Sequence, residues 1–379
     1  MKIPFNKPYL TGTELRYMEE AVRRSHISGD GHFTKKCSSL LTQILNVPHC
    51  LLTTSCTHAL EMAGLLLNLG PDDEFIVPAF TFVSTVNAFV LRGAKPVFAD
   101  IRSDTFNIDE TKLEQLITPA TKAIVPVHYA GAGCEMDAII KIANQYKIAV
   151  IEDNAHGLFG KYKEKPLGSF GDMATQSFHE TKNVSCGEGG ALVINNNEYF
   201  CRAEIIREKG TDRSRFFRGE TDKYTWVDIG SSYLPSDILA AFLLAQLENS
   251  EKIQNHRKHI WERYFNELKE WASSHNIRLP FIPDHCEQAY HMFYMFLPTG
   301  EHTKKLISHL KENEISAVFH YQPLHLSEMG RKFGGKEGLC PVTENTYSRI
   351  IRLPFYNGMS DSEQTSVIKT VKEFDPSGN

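Results

Sequence analysis

Between about residues 50 and 200, short β-branched runs alternate with amphipathic stretches, and few folds accept that alternation. Residues 74–79, 96–101, 123–129, 148–153, 175–179 and 191–194 read as strands. The stretches 57–69, 83–91 and 135–146 lie between them and carry apolar residues at helical spacing. Strand-helix-strand alternation builds a mainly parallel sheet with helices on both faces, because parallel neighbours need a crossover and a helix is the usual one. Ligands then gather beyond the carboxyl ends of the strands. Thr81, His128, Asp153 and His156 lie at or just past such ends.

A chain of 379 residues is too long for one ordinary core. After about residue 230 the pattern changes. The spacing predicts one long helix over 236–264, with Leu239, Phe242, Leu243 and Leu247 on one face. It bridges to a smaller α+β domain with strands at 292–297 and 316–321 and helices at 304–312 and 360–374. The expected division is a large domain over 1–250 and a small one over 251–379.

The composition excludes several classes. A formal net charge of −5 leaves no surplus of Lys and Arg to neutralise a nucleic-acid backbone. One local basic stretch, 202–218, holds five arginines and one lysine, and reads either as a solvated surface or as a clamp for a small phosphorylated substrate. The eight cysteines are scattered without a Cys-x-x-Cys pair, which predicts free thiols in a reducing cytosol. The start lacks an apolar leader and no run approaches the ~18 apolar residues that span a bilayer, so a cytoplasmic, membrane-free protein is expected. None of the 16 histidines has zinc-ligand spacing, and no metal is expected. No G-x-G-x-x-G or G-x-S-x-G is present.

Two residues carry the chemistry. Asp153 closes the apolar run Ile151-Glu-Asp-Asn-Ala-His156, and Lys182 follows 29 positions later in Ser177-Phe-His-Glu-Thr-Lys-Asn183. Pyridoxal phosphate needs this pair: an amine to condense with its aldehyde, and a carboxylate to keep its ring nitrogen protonated. Glycines follow at Gly187, Gly189 and Gly190. Thr53-Thr-Ser-Cys-Thr57 precedes a helix and reads as a phosphate cradle, with an ordinary N-cap as the alternative. Phe82, in Pro78-Ala-Phe-Thr-Phe82, is either a ring that stacks on a planar cofactor or a core residue.

Taken in order, Thr-Ser-Cys-Thr, Pro-Ala-Phe-Thr-Phe, Glu-Asp-Asn-Ala-His, Ser-Phe-His-Glu-Thr-Lys-Asn and Gly-Glu-Gly-Gly resemble the motif set of the DegT/DnrJ/EryC1/StrS sugar-nucleotide aminotransferases. The resemblance runs over nearly the whole chain. It implies a fold-type I, aspartate-aminotransferase-like α/β protein with pyridoxal 5'-phosphate as cofactor. Within the family, Ser28-Gly-Asp-Gly31, Val127-His-Tyr-Ala-Gly131, Cys134-Glu-Met-Asp137 and long stretches of 207–233 most resemble the subgroup that aminates C4 of dTDP-4-keto-6-deoxyglucose. The expected reaction takes nitrogen from L-glutamate and gives dTDP-4-amino-4,6-dideoxy-D-galactose and 2-oxoglutarate. The alternative is amination at C3 of a related dTDP-3-keto-6-deoxyhexose.

The same resemblance makes Lys182 the cofactor lysine and Asp153 the partner of the ring nitrogen. It places His156 against the phenolic oxygen and Phe82 on the ring. Ser55, Cys56, Thr57 and Ser177 fall at the phosphate. Ser232 stands where most relatives have an Asn that reaches the neighbouring subunit's phosphate, so a homodimer with shared sites is implied. Cys56 replaces a glycine of the usual turn, which must then tolerate a side chain. Arg215, Arg218, Tyr224, Tyr321 and His325 are the candidate substrate contacts. Relatives with His in place of the lysine dehydrate instead; keeping Lys182 favours transamination.

Overall fold

The computed structural model describes residues 2–375. Seven strands make the central sheet: β1 (His49–Thr53), β2 (Glu74–Pro78), β3 (Lys95–Ala99), β4 (Thr121–Ile124), β5 (Ala149–Asp153), β6 (Met173–Ser177) and β7 (Gly190–Ile194). Their spatial order is β1-β7-β6-β5-β4-β2-β3. β7 runs antiparallel to both β1 and β6, and every other neighbouring pair is parallel. The sheet is therefore mostly parallel, as the alternation requires.

Helices cover both faces, and the period-two alternation of the strands shows how. Leu51 and Leu192 pack on one side with Leu60 and Ala63 of the helix Cys56–Leu66. Their neighbours Leu52 and Val193 pack on the other side with Leu41 and Leu244. A separate core gathers Trp261, Tyr264, Phe293, Leu310, Ile351 and Val367. The helices Gly300–Glu312 and Asp361–Glu373 and the antiparallel strand pair Tyr294–Phe296 and Ile350–Arg352 surround it. The N-terminal segment, expected in the large domain, crosses to this second core: Ile3 is buried in it and bridges Ile315.

Three expectations need correction. The long helix over 236–264 is two helices, Asp237–Glu248 and Ser250–Ser274. Asn249 separates them with non-helical backbone, and its Nδ2 donates to the Ala245 carbonyl at 2.8 Å, competing with the helix ladder. Apolar periodicity cannot register such a break. Residues 316–321 form no strand; only Val318 bridges Arg352, and the chain turns at Tyr321 with φ 31°. β4 stops at Ile124, short of 129, because Pro126 has no N–H for the ladder. Pro126 instead accepts from Asp153 N at 2.9 Å.

No helix among the described residues is long and apolar enough to cross a membrane. All eight cysteines are free, and no cluster of ligating side chains suits a metal ion among the described residues.

Candidate active site

Adjacent side chains at the end of β5 point to opposite faces, which separates a structural carboxylate from a chemical one. Glu152 is fully buried and accepts four hydrogen bonds: from His128 Nε2 at 2.9 Å, Gly168 N at 2.8 Å, Phe170 N at 2.7 Å and Gly171 N at 2.8 Å. Burial pushes its pKa up, but the His128 bond and the backbone N–H groups outweigh that and hold it below the usual carboxylate value. His128 Nδ1 accepts from Cys134 N at 3.1 Å, leaving Nε2 to donate. Glu152 thus fastens the chain on both sides of the site. Asp153 faces the other way. Its Oδ2 accepts from Thr85 Oγ1 at 2.7 Å and its Oδ1 from Ala155 N at 3.1 Å.

Lys182 sits in the turn after β6, its backbone N donating to His179 O at 2.9 Å. The side chain is half-buried, and burial pushes its ammonium down to about 8. Cys56 and Asp153 lie within Coulombic range and oppose that shift; Arg352 adds to it. A neutral amine near physiological pH is what condensation with a carbonyl requires.

The candidate phosphate turn is built by close approach. Ser177 and Gly190 pair across β6 and β7. A Cβ on Gly190 would fall 2.3 Å from the Ser55 carbonyl carbon and 2.4 Å from Cys56 N, so only glycine lets β7 pass beneath this turn. Ser177 and Ser55 to Thr57 therefore converge. Ser55 Oγ caps the helix, accepting from His58 N at 3.1 Å, so the ordinary N-cap role is real. The N–H groups of Cys56 and Thr57 still have no intrahelical acceptor and point to the positive end of an eleven-residue helix. The Cys56 side chain is accommodated with Sγ 3.4 Å from Thr175 Oγ1, and burial pushes its thiol up to about 12.

An aromatic wall closes the site. His156 stacks on His291 with ring centroids 4.3 Å apart, and its Nε2 is 3.3 Å from Tyr321 Oη. Burial first, then the charges of Lys182 and Arg352, push His156 well below the ordinary histidine value. Phe82 is exposed, its ring 6.4 Å from that of Tyr321. The residues fit pyridoxal phosphate. Among the described residues, His156 Nδ1 is buried with no partner, the Lys182 amine makes no ion pair, and the N–H groups of Cys56 and Thr57 have no intrahelical acceptor.

The remaining candidates divide. Arg215 and Arg218 are exposed and paired with Glu220 at 3.3 and 2.7 Å; Arg218 also pairs with Glu204 at 2.9 Å. Tyr224 is exposed and packs against Phe216. Ser232 is exposed, next to Tyr233, whose carbonyl accepts from Thr54 N at 2.9 Å. His325 has a fully enclosed side chain, hydrogen-bonded to Glu344 at 2.8 Å. Sequence reasoning missed Thr85, His291 and Arg352. Arg352 left a signal, a charge inside the apolar run Ile350-Ile-Arg-Leu-Pro-Phe355.

Residues 8–372 match the DegT/DnrJ/EryC1/StrS aminotransferase family. The chain belongs to this family. It is 32% identical over 379 residues to the spore coat polysaccharide biosynthesis protein SpsC of Bacillus subtilis, covering 98% of this chain and 96% of that one. It is 30% identical to GDP-perosamine synthase of Escherichia coli O157:H7, covering 98% of each. The putative sugar aminotransferase Spr1654 of Streptococcus pneumoniae, in its PMP form, superposes with a TM-score of 0.91 at 28% identity over 98% of each chain. The same protein is known in a PLP form. This chain is thus a pyridoxal-phosphate-dependent sugar aminotransferase of fold-type I. When bound, the cofactor supplies an electron-accepting ring and the carbon that carries nitrogen between substrates.

Proposed function

We propose that the chain transfers the amino group of L-glutamate to C4 of dTDP-4-keto-6-deoxy-D-glucose. The products are dTDP-4-amino-4,6-dideoxy-D-galactose and 2-oxoglutarate. The observation that carries this reading is the joining of two stretches that resemble the C4-aminating subgroup. Asp30, in Ser-Gly-Asp-Gly, grips Arg207 Nη2 with both oxygens at 2.8 Å, and Arg207 opens the 207–233 stretch. That stretch returns to the phosphate turn through Tyr233 and Thr54, so both resemblances meet beside the cofactor residues.

In this reading Lys182, Asp153, His156, Phe82, Ser55, Cys56, Thr57 and Ser177 hold the cofactor. Lys182 Nζ takes a proton from the donor's α-carbon and returns it to the cofactor's carbon. With the keto sugar it runs the same moves in reverse, so two substrates use one site in turn. The carboxylate of Asp153 faces the ring nitrogen and His156 the phenolic oxygen. Tyr321, which closes the wall, and the arginines and tyrosine of 213–226 face the sugar nucleotide. Ser232 and the same segment reach a second copy of the chain, giving a homodimer with shared sites. Eight free thiols suit a reducing cytoplasm.

The test is to supply purified enzyme with glutamate and dTDP-4-keto-6-deoxyglucose and to read the product by NMR. An axial amine at C4 is expected. An amine at C3 from the 3-keto isomer, with no product from the 4-keto sugar, establishes the alternative instead.

A further inference from the structure

We propose that Arg257 is a positioning residue for transamination: through Asn357, Asn183 and His291 it fixes the turn that carries Lys182 and holds His291 in one neutral tautomer. The inference rests on Lys182 as the cofactor lysine and is independent of the sugar. Arg257 lies on the helix Ser250–Ser274 and is buried. No carboxylate pairs with it among the described residues; its guanidinium lies 4.6 Å over the Phe355 ring and donates to three neutral oxygens. Nε reaches the Tyr290 carbonyl at 2.8 Å, Nη2 the His291 carbonyl at 2.5 Å and Nη1 Asn357 Oδ1 at 2.5 Å. Burial lowers its pKa to about 9, so it stays a cation at neutral pH. A buried cation without a counter-charge is unfavourable, and an apolar side chain of similar volume would serve packing alone. The three donors, set in a rigid fork, are the reason for an arginine here.

Those acceptors lead to the lysine. Asn357 Nδ2 donates to the Asn183 carbonyl at 2.9 Å, and Asn183 directly follows Lys182. Asn183 Nδ2 donates to the Ala289 carbonyl at 2.6 Å, so its Oδ1 is the atom that meets His291 Nδ1 at 3.0 Å. An amide oxygen only accepts. His291 Nδ1 therefore carries the proton, and Nε2 is left with its lone pair. Burial keeps this ring neutral, pushing it well below the ordinary histidine value. The circuit closes where the His291 carbonyl returns to Arg257. Held this way, the His291 ring stacks on His156 with centroids 4.3 Å apart and planes 19° from parallel. One guanidinium thus ties the turn after β6 to two segments that flank the second core, 289–291 and the loop at Asn357. Opening the circuit at any member frees the lysine turn and the histidine pair to move independently.

The test reads the tautomer in cofactor-free protein, by long-range proton–nitrogen NMR of isotope-labelled histidines, with His291 assigned by its absence from His291→Gln. Wild type is expected to show Nδ1 protonated and Nε2 bare. Arg257→Met, which loses all the donors, is expected to show both His291 tautomers. In the loaded enzyme it is expected to lower kcat about tenfold or more with little change in KM for glutamate, as loss of an orienting charge-assisted bond predicts. Arg257→Lys, which keeps the charge without the fork, is expected to fall between the two. A variant that loses stability but keeps wild-type kcat and a single His291 tautomer overturns the proposal, because burial alone then accounts for the arginine. A fall in kcat with the tautomer intact overturns it as well. If Arg257→Met does not fold, Asn357→Ala, which opens the circuit and leaves the guanidinium in place, decides on the same two readings. Lys182→Ala, run alongside, keeps the two assignments apart: turnover retained there sinks the lysine assignment, whereas the tautomer is read without cofactor.

Discussion

Thr85 Oγ1 donates to Asp153 Oδ2 at 2.7 Å, and Thr81 Oγ1 stands 2.9 Å behind it. All three side chains are buried, so the carboxylate proposed to face the cofactor is aimed by hydroxyls and not by solvent. A hydrogen bond to a charged group contributes roughly 1.5–3 kcal/mol. Thr85→Val, which keeps the shape, is therefore expected to lower turnover about ten- to a hundredfold. Thr85→Ser is expected to retain most of it. Steady-state rates with saturating cofactor check this, and wild-type turnover in Thr85→Val would remove Thr85 from the site. Asp153→Asn is expected to lose several orders of magnitude, because an amide cannot keep the ring nitrogen charged.

The amine of Lys182 gives a pH signature. Burial moves it from 10.5 to about 8. Between those values the unfolded chain holds the proton and the folded chain does not, so this group makes stability rise with pH across that window. Lys182→Met has no amine to titrate. In cofactor-free protein its stability advantage over wild type is expected to be largest below pH 8 and to shrink toward 10.5. Urea melts at pH values on either side of the window read this directly, and a pH-independent difference contradicts the buried amine. Lys182→Ala is expected to fold and to abolish turnover.

How much of this was legible in the sequence depends on distance along the chain. Asp153 ends β5 and Lys182 follows the end of β6 by five residues, and a strand-helix pattern places such ends at one edge of the sheet without any coordinates. Tyr321 packs against the cluster of Phe80 and Tyr129 and touches His156 from a turn that has no periodicity to read. The break at Asn249 rests on one side-chain amide competing for a carbonyl, which composition does not reveal. His325 and Tyr321 are four positions apart, yet one is enclosed against Glu344 and the other touches His156. Only packing separates them.

Gly190 is the tightest joint in the proposed phosphate turn. A methyl group there would press into the backbone of Ser55 and Cys56, which has no flexible end to yield. Gly190→Ala is expected to displace the turn and weaken pyridoxal phosphate by about tenfold or more, as loss of a phosphate contact to helix N–H groups implies. Cofactor titration followed by absorbance measures it. Gly187→Ala is a control for the glycine cluster, since a Cβ there meets nothing within 4 Å, although its φ of 85° adds local strain. Equal cofactor affinity in Gly190→Ala and wild type would show that the turn is softer than its geometry.

The segment after Asp212 is apolar where water would meet it. Phe217 is 69% and Trp226 76% exposed, with Phe216, Tyr224, Val227 and Ile229 beside them. Exposed aromatics concentrated in one stretch mark a surface that another molecule covers. The proposed cover is a second copy of this chain, arranged two-fold so that each copy's segment faces the other's site. Two variants, Lys182→Ala and one disabled in 213–233, are then each inactive alone for different reasons. Mixed and allowed to exchange subunits, they assemble one site with an intact lysine from one chain and an intact segment from the other. Random exchange places half of the chains in mixed dimers, each with one complete site, so about a quarter of wild-type activity is expected from an equal mixture. Activity that stays at zero after exchange, shown to be complete by mass labelling, would mean that each site is closed by its own chain.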